Sequence, residues 1–310
     1  MAKPPMLHGQ PSYVRIIFFG VLLMGCFSFF SVLALFLTSH LFPGVRLNPD
    51  GLPIPLHGNT LGIAAFRLMQ GINSIGLFLF PPLLLARFID PKPLASLGLK
   101  GKIQGRTVLL GMLLVVVAIP FINWMAEINS EIQLPAFLSS VEEWMRSRES
   151  TATIITETFM NVTSISALMA NLVVVAVIPG IGEELFFRGV LQPFFAGDKN
   201  RNHFAIWFTA FIFAALHMQF FSFFPRFFLG VFLGYLYLHT QRLWVPILVH
   251  FFNNAFAVIL SFISFNYFSP GQLDKAGCRT SEWALVATSA ALTGMIVYLI
   301  FWRKKKAGLL

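Results

Sequence analysis

Glu183, Glu184 and Arg188 stand together in "VVVAVIPGIGEELFFRGVLQPFF", residues 173–195, a stretch with no other charged residue. Burying a carboxylate costs on the order of several kcal/mol unless it is paired and hydrogen-bonded. On a helix Glu184 and Arg188, four residues apart, share a face and can pair. For that pair a structural role is at least as well supported as a catalytic one. Glu183 lies about 100° round the helix and has no local basic partner. A lone carboxylate in a low-dielectric site suits proton abstraction, and such groups in cavities mark functional sites.

His217 in "FIFAALHMQF" and His250, Asn253 and Asn254 in "LVHFFNNAF" are further polar groups inside apolar runs. Taken alone, His217 reads first as a helix-packing histidine bonded to a carbonyl. His250 and Asn254, four apart, share a helix face; Asn253 points elsewhere and reads as an inter-helix hydrogen bond. Together they say more. At the helical rise, Glu183 and His217 both lie about 24 Å from the polar "GDKNRN", and His250 and Asn254 about 12 and 18 Å from Arg242. A carboxylate, two imidazoles and an amide can therefore converge from three helices. A carboxylate and a histidine can hold and deprotonate a water. A second histidine and an asparagine can donate hydrogen bonds to the oxyanion that forms when that water attacks an amide. Glu183, His217 and His250 could instead bind zinc and leave a position open for water. Spacing does not separate the two, a site without a metal cofactor and a zinc site. HExxH, GxSxG and a P-loop are absent, so soluble-enzyme templates add nothing.

The elements that must position these groups are membrane helices. The chain of 310 residues is 56% hydrophobic and only 11% charged, against roughly 25% charged in a soluble domain. Several uncharged stretches reach the roughly 20 residues that cross a bilayer, and in lipid long apolar runs mean helices. The expected fold is all-α: a polytopic membrane protein with about eight transmembrane helices, at about 16–42, 68–86, 107–125, 164–195, 203–221, 227–241, 243–265 and 283–302. The active-site cavity is then formed by spans four, five and seven. Residues 1–310 read as a single integral membrane domain, with 126–158 an extracytoplasmic polar loop whose "SSVEEWMRSRES" is either a surface-lying amphipathic helix or solvated chain.

With the N-terminus inside, 15 of the 22 Lys and Arg fall on inner segments and 9 of the 13 acidic residues outside, six of them between Glu127 and Glu157. The positive-inside rule therefore puts both termini in the cytoplasm. The net charge of +9 is membrane topology, and no nucleic-acid partner is expected. The run from Ile16 to Phe42 is too long for a cleaved signal and reads as a retained anchor. Cys26 and Cys278 support neither a disulfide nor a cysteine metal site. "GVFLG" at 230–234 reads as helix packing, and the terminal "RKKK" as a topology anchor.

"EELFFR" (Glu183, Glu184, Arg188) matches EExxxR, "FAALH" (Phe213, His217) matches FxxxH and "HFFNN" (His250, Asn254) matches HxxxN. In that order, on separate apolar helices, they resemble the CPBP family of CAAX proteases and bacteriocin-processing (Abi) proteins over about residues 164–260. The family's core has eight helices. The resemblance implies an intramembrane endopeptidase, whose eukaryotic branch removes the last three residues of prenylated CAAX proteins. It implies that Glu183 and His217 activate water, that His250 and Asn254 form the oxyanion site, and that Glu184 and Arg188 support it. The family is widely labelled as metalloproteases; a glutamate-dependent mechanism is the reading preferred here. The partners expected are a protein or peptide substrate reached from the membrane and the lipid bilayer, in the inner membrane if the source is prokaryotic. Two rivals remain: a proton-coupled transporter, since buried Glu and His also make proton relays, and a non-catalytic scaffold or immunity protein that keeps the fold.

Overall fold

The computed structural model describes residues 5–47, 53–54, 60–197, 201–268 and 282–302; Lys3, Lys199, Cys278 and the basic run from Arg303 lie outside them. Ten helices, numbered in chain order, carry the described chain. They are α1 (Ser12–Leu41), α2 (Thr60–Ile89), α3 (Gly105–Val117), α4 (Ile119–Ser130), α5 (Ser139–Met160), α6 (Ile165–Ala196), α7 (Asn202–Leu216), α8 (Phe220–Thr240), α9 (Trp244–Tyr267) and α10 (Trp283–Phe301). A single turn of helix at Pro93–Ser96, a 3-10 turn at Ala136–Leu138 and a two-residue antiparallel pairing of Arg46–Leu47 with Pro53–Ile54 complete the described elements.

Six of these helices are long and apolar enough to span a bilayer, and the bent pair α3–α4 makes up to seven. The protein is thus an all-helical, polytopic integral membrane protein, with two corrections to the expected spans. The third span is broken by 52° at Ala118, where Pro120 opens α4 and has no N–H to continue the preceding turn. The fifth ends at Leu216 rather than 221: Met218 takes a left-handed φ of 53°, so α7 has only 15 residues, or about 22 Å. An apolarity window runs through this turn because phenylalanines continue on its far side.

Proline also explains the wide turns inside the long helices. Stretches of π-helix at Ile75–Leu79, Leu172–Val177 and Phe187–Leu191 each end two residues before a proline, Pro81, Pro179 and Pro193. A residue with no N–H cannot close an ordinary i→i−4 turn, and a π-turn absorbs the mismatch without breaking the rod.

Two apolar clusters hold the helices together. Phe19, Leu85, Phe186, Phe187 and Phe213 join α1, α2, α6 and α7 in the first. Leu233, Leu236, Val245 and Val249 join α8 and α9 to α3 and α10 in the second. Gly230 and Gly234 bring α8 onto α7: a Cβ at Gly230 would lie 3.0 Å from the Ala210 Cβ, and one at Gly234 2.9 Å from Ile206 Cγ2. This is the packing expected of "GVFLG". Gly234→Val is expected to force these helices apart and to destabilise the protein by about 1–3 kcal/mol. A thermal melt in detergent checks this, and an unchanged midpoint would remove the packing role.

Most of the segment 126–158 is helix rather than open loop. Glu142 and Arg146 pair across one turn of α5 at 2.7 Å, and no proline interrupts residues 139–160. The end of α5 is tied down. Asn171 of α6 donates to the Phe159 carbonyl and accepts from Arg67 Nε at 2.7 Å, while the Arg67 guanidinium lies 5.6 Å over the Phe159 ring. Arg67 and Arg226, which the span boundaries had left in outer segments, both fall within helices. Each lies close enough to an apolar run to have been cut off by its charge alone.

Candidate active site

Glu184 is fully buried and its Oε1 accepts from two directions, from Arg188 Nη1 at 2.7 Å and from His250 Nδ1 at 2.8 Å. Arg188, also fully buried, donates through Nη2 to the Gly230 carbonyl at 2.7 Å. The pair expected within α6 therefore also reaches α8 and α9. Helix periodicity turns the neighbouring Glu183 towards open space, with 13% of its side chain exposed. Its Oε2 stands 3.9 Å from His250 Nε2. The two adjacent acids are thus separated by function of position: one is locked in a buried network, the other faces a hollow.

Close approach of α6 to α9 makes this contact feasible. A Cβ at Gly180 would lie 3.0 Å from the Phe251 Cα, so a side chain there would push the helix carrying Glu184 off the one carrying His250. Pro179, next to it, has no N–H for the Val175 carbonyl one turn back. Asn254 Nδ2 donates to that carbonyl at 3.0 Å, and Asn254 Oδ1 accepts from Asn253 at 3.0 Å. A buried carbonyl without a partner is costly, so Asn254 fastens α9 to α6 with one of its two amide hydrogens.

His217 follows the last residue of α7, and its Nδ1 lies 2.7 Å from the Phe213 carbonyl, a group that the end of a helix leaves without an N–H. A carbonyl only accepts, so Nδ1 carries the proton, and Nε2 of the neutral ring keeps the lone pair. The same logic puts a proton on His250 Nδ1 opposite the Glu184 carboxylate. In neutral His250, Nε2 then accepts, and it donates only when the ring holds two protons.

A cavity of about 840 Å3 receives these groups. Glu183, His217, His250 and Asn254 all line it, and Phe213 and Pro179 border them. Its wall takes residues from spans four, five and seven and also from α1 (Ser31, Leu35), α2 (Gln70, Asn73), α5 (Thr156, Phe159) and α8 (Arg226). Asn253, expected to point elsewhere, lines it too, because the wide opening spans more than one stripe of α9. Arg226 is a cavity residue that the motifs do not contain. Its signal was one guanidinium in "FFSFFPRFFLG", a charge among phenylalanines with no acid nearby in sequence.

The zinc alternative requires Glu183, His217 and His250 to converge on one point. Among the described residues no group of three or more His, Cys, Asp or Glu side chains is arranged to hold a metal ion, and no step below passes through a metal.

Residues 165–256 match the family model of Rce1-like proteins, type II CAAX prenyl endopeptidases. The matched segment carries all three motifs and every cavity group named above from α6 to α9, and it supports a membrane protease acting on a protein or peptide. No curated protein and no solved structure matches the chain.

Proposed function

We propose that this protein is an intramembrane endopeptidase in which Glu183 and His217 activate a water for attack on a peptide bond. What carries the reading is the convergence of Glu183, His217, His250 and Asn254, from α6, the end of α7 and α9, on one cavity. The Glu183 carboxylate takes a proton from the water while His217 Nε2, its tautomer set by the Phe213 carbonyl, orients that water by accepting its other hydrogen. The water oxygen bonds to the carbonyl carbon, and the former carbonyl oxygen becomes an oxyanion. Asn254 offers it the amide hydrogen not given to Val175. His250 offers Nε2–H when doubly protonated, a cation for which Glu184 on one side and Glu183 on the other are the counter-ions. The proton held by Glu183 passes to the leaving nitrogen as the C–N bond breaks, giving a carboxylic acid and an amine.

Glu184 and Arg188 touch neither water nor substrate in this scheme; they hold the His250 ring and its proton in place. The distribution of basic residues supports both termini facing the cytoplasm. The mechanism needs no cofactor. Purified protein is expected to cleave a membrane-presented peptide with activity unchanged by zinc chelators and with far less than one zinc per chain. Loss of activity on chelation, with recovery on adding zinc, would overturn the metal-free mechanism.

A further inference from the structure

Among the described residues that line the cavity, Arg226 is the only arginine or lysine, and the proposed hydrolysis does not use it. Its position is built. Asn129 holds the start of α8, donating to the Phe220 carbonyl and accepting from the Phe224 N–H, each at 3.0 Å. Glu149 of α5 accepts from the Phe221 N–H and the Ser222 hydroxyl, each at 3.2 Å. Arg226 itself donates to the Ser222 carbonyl at 3.2 Å and to the Gln219 side-chain oxygen.

Both acceptors are neutral. Among the described residues no carboxylate lies within ion-pairing distance of Arg226, and Glu149 spends both oxygens on the α8 start. A guanidinium has five N–H donors in a planar fork, a shape that fits a carboxylate through two parallel hydrogen bonds. Glu149 and Glu183 act on this cation only through space, without a direct ion pair, and inside a membrane protein a cation so placed, facing a cavity, marks a site for a carboxylate. Its other side borders a smaller apolar cavity of about 460 Å3, so the anion would arrive on an otherwise apolar segment.

From this geometry we infer that Arg226 binds a carboxylate of the substrate and so sets which peptide bond reaches Glu183. The inference rests on the hydrolase reading for its consequence, but not for the binding itself. The carboxylate belongs either to the substrate's own C-terminus or to an Asp or Glu side chain. Arg226 is a specificity residue: it acts on the bound substrate and leaves the chemical step to the groups on α6, α7 and α9.

The test uses three fluorescent peptides of one apolar sequence: a free C-terminal carboxylate, a C-terminal carboxamide, and a carboxamide with one internal Glu. Binding to full-length Glu183→Gln protein in detergent is measured by anisotropy, and turnover is measured with the wild type. The carboxamide peptide is expected to bind at least about tenfold more weakly than the carboxylate peptide, with KM on the wild type shifted to match. Adding Arg226→Gln should bring the ratio between the two to about one, and Arg226→Lys should keep part of it. A preference over the carboxamide peptide shown by the free terminus alone identifies the chain terminus as the ligand; one shown by the internal Glu alone identifies a side-chain carboxylate, and one shown by both means that either carboxylate serves. Equal or absent binding of all three peptides overturns the inference. So does an Arg226→Gln effect confined to kcat and equal for all peptides, which would make the residue part of the oxyanion site. If the wild type cleaves none of them while binding still discriminates, the hydrolase reading fails and the Arg226 assignment stands.

Discussion

Glu183→Gln is expected to lower kcat for peptide cleavage by about a thousandfold, within the range that a positioned general base contributes. The amide keeps the shape of the side chain and its place on the cavity wall, but it cannot take the proton of a water. Because the lost interaction belongs to the transition state, kcat and kcat/KM should fall together while peptide binding persists. Folding should survive, since among the described residues Glu183 makes no hydrogen bond, its approach to His250 being 3.9 Å, and it is partly open to the cavity. Kinetics on the purified variant, with a thermal melt beside them, check both halves. A variant that cleaves at the wild-type rate would remove Glu183 from the chemistry and leave the cavity available to a transport role.

The second large effect is on stability. Arg188→Ala deletes a side chain that is fully buried, and with it the cation paired to Glu184 at 2.7 Å and the donor to the Gly230 carbonyl. Breaking one side of a buried ion pair costs about 3–5 kcal/mol, because the remaining charge stays in a medium that solvates it poorly. The expected outcome is a protein that melts far below the wild type in detergent or fails to accumulate in the membrane. Glu184→Gln combined with Arg188→Met should be much less destabilised, since no unpaired charge is left and the arginine stem is replaced by a side chain of similar volume. The double variant should still be inactive, because His250 Nδ1 has lost its carboxylate. If Arg188→Ala melts with the wild type, the network is ornamental and the positioning role of Glu184 fails with it.

Much of the site was legible from spacing because helices convert sequence intervals into directions. The four-residue steps from Glu184 to Arg188 and from His250 to Asn254 place each pair on one face, and the one-residue step from Glu183 to Glu184 turns the two acids apart. What spacing could not supply was the partner across a helix contact. That His250 Nδ1 faces Glu184 rather than the cavity depends on how closely α6 and α9 approach at Gly180, and no interval within either helix encodes it. The same holds for Asn254, whose bond to Val175 answers a carbonyl left unpaired by a proline on a different helix. Span boundaries failed where charge and apolarity disagreed: Arg67 and Arg226 were placed outside helices that contain them, and the turn at Met218 was hidden by the phenylalanines beyond it. Residues 139–160 could be read as surface helix or as solvated chain because their polar composition suits both; the anchoring of Phe159 by Asn171 comes from residues outside the segment.

The central claim is that water is added across a peptide bond in the cavity between α6, α7 and α9, with Glu183 as the proton acceptor. Its most direct test is cleavage in water enriched with oxygen-18, the products being weighed by mass spectrometry for the wild type, Glu183→Gln and His217→Ala. One heavy oxygen is expected in the newly formed carboxyl group of the wild-type product, and almost no product from either variant. Equal, labelled product from all three proteins, or no cleaved bond in any peptide presented to the wild type, would contradict it.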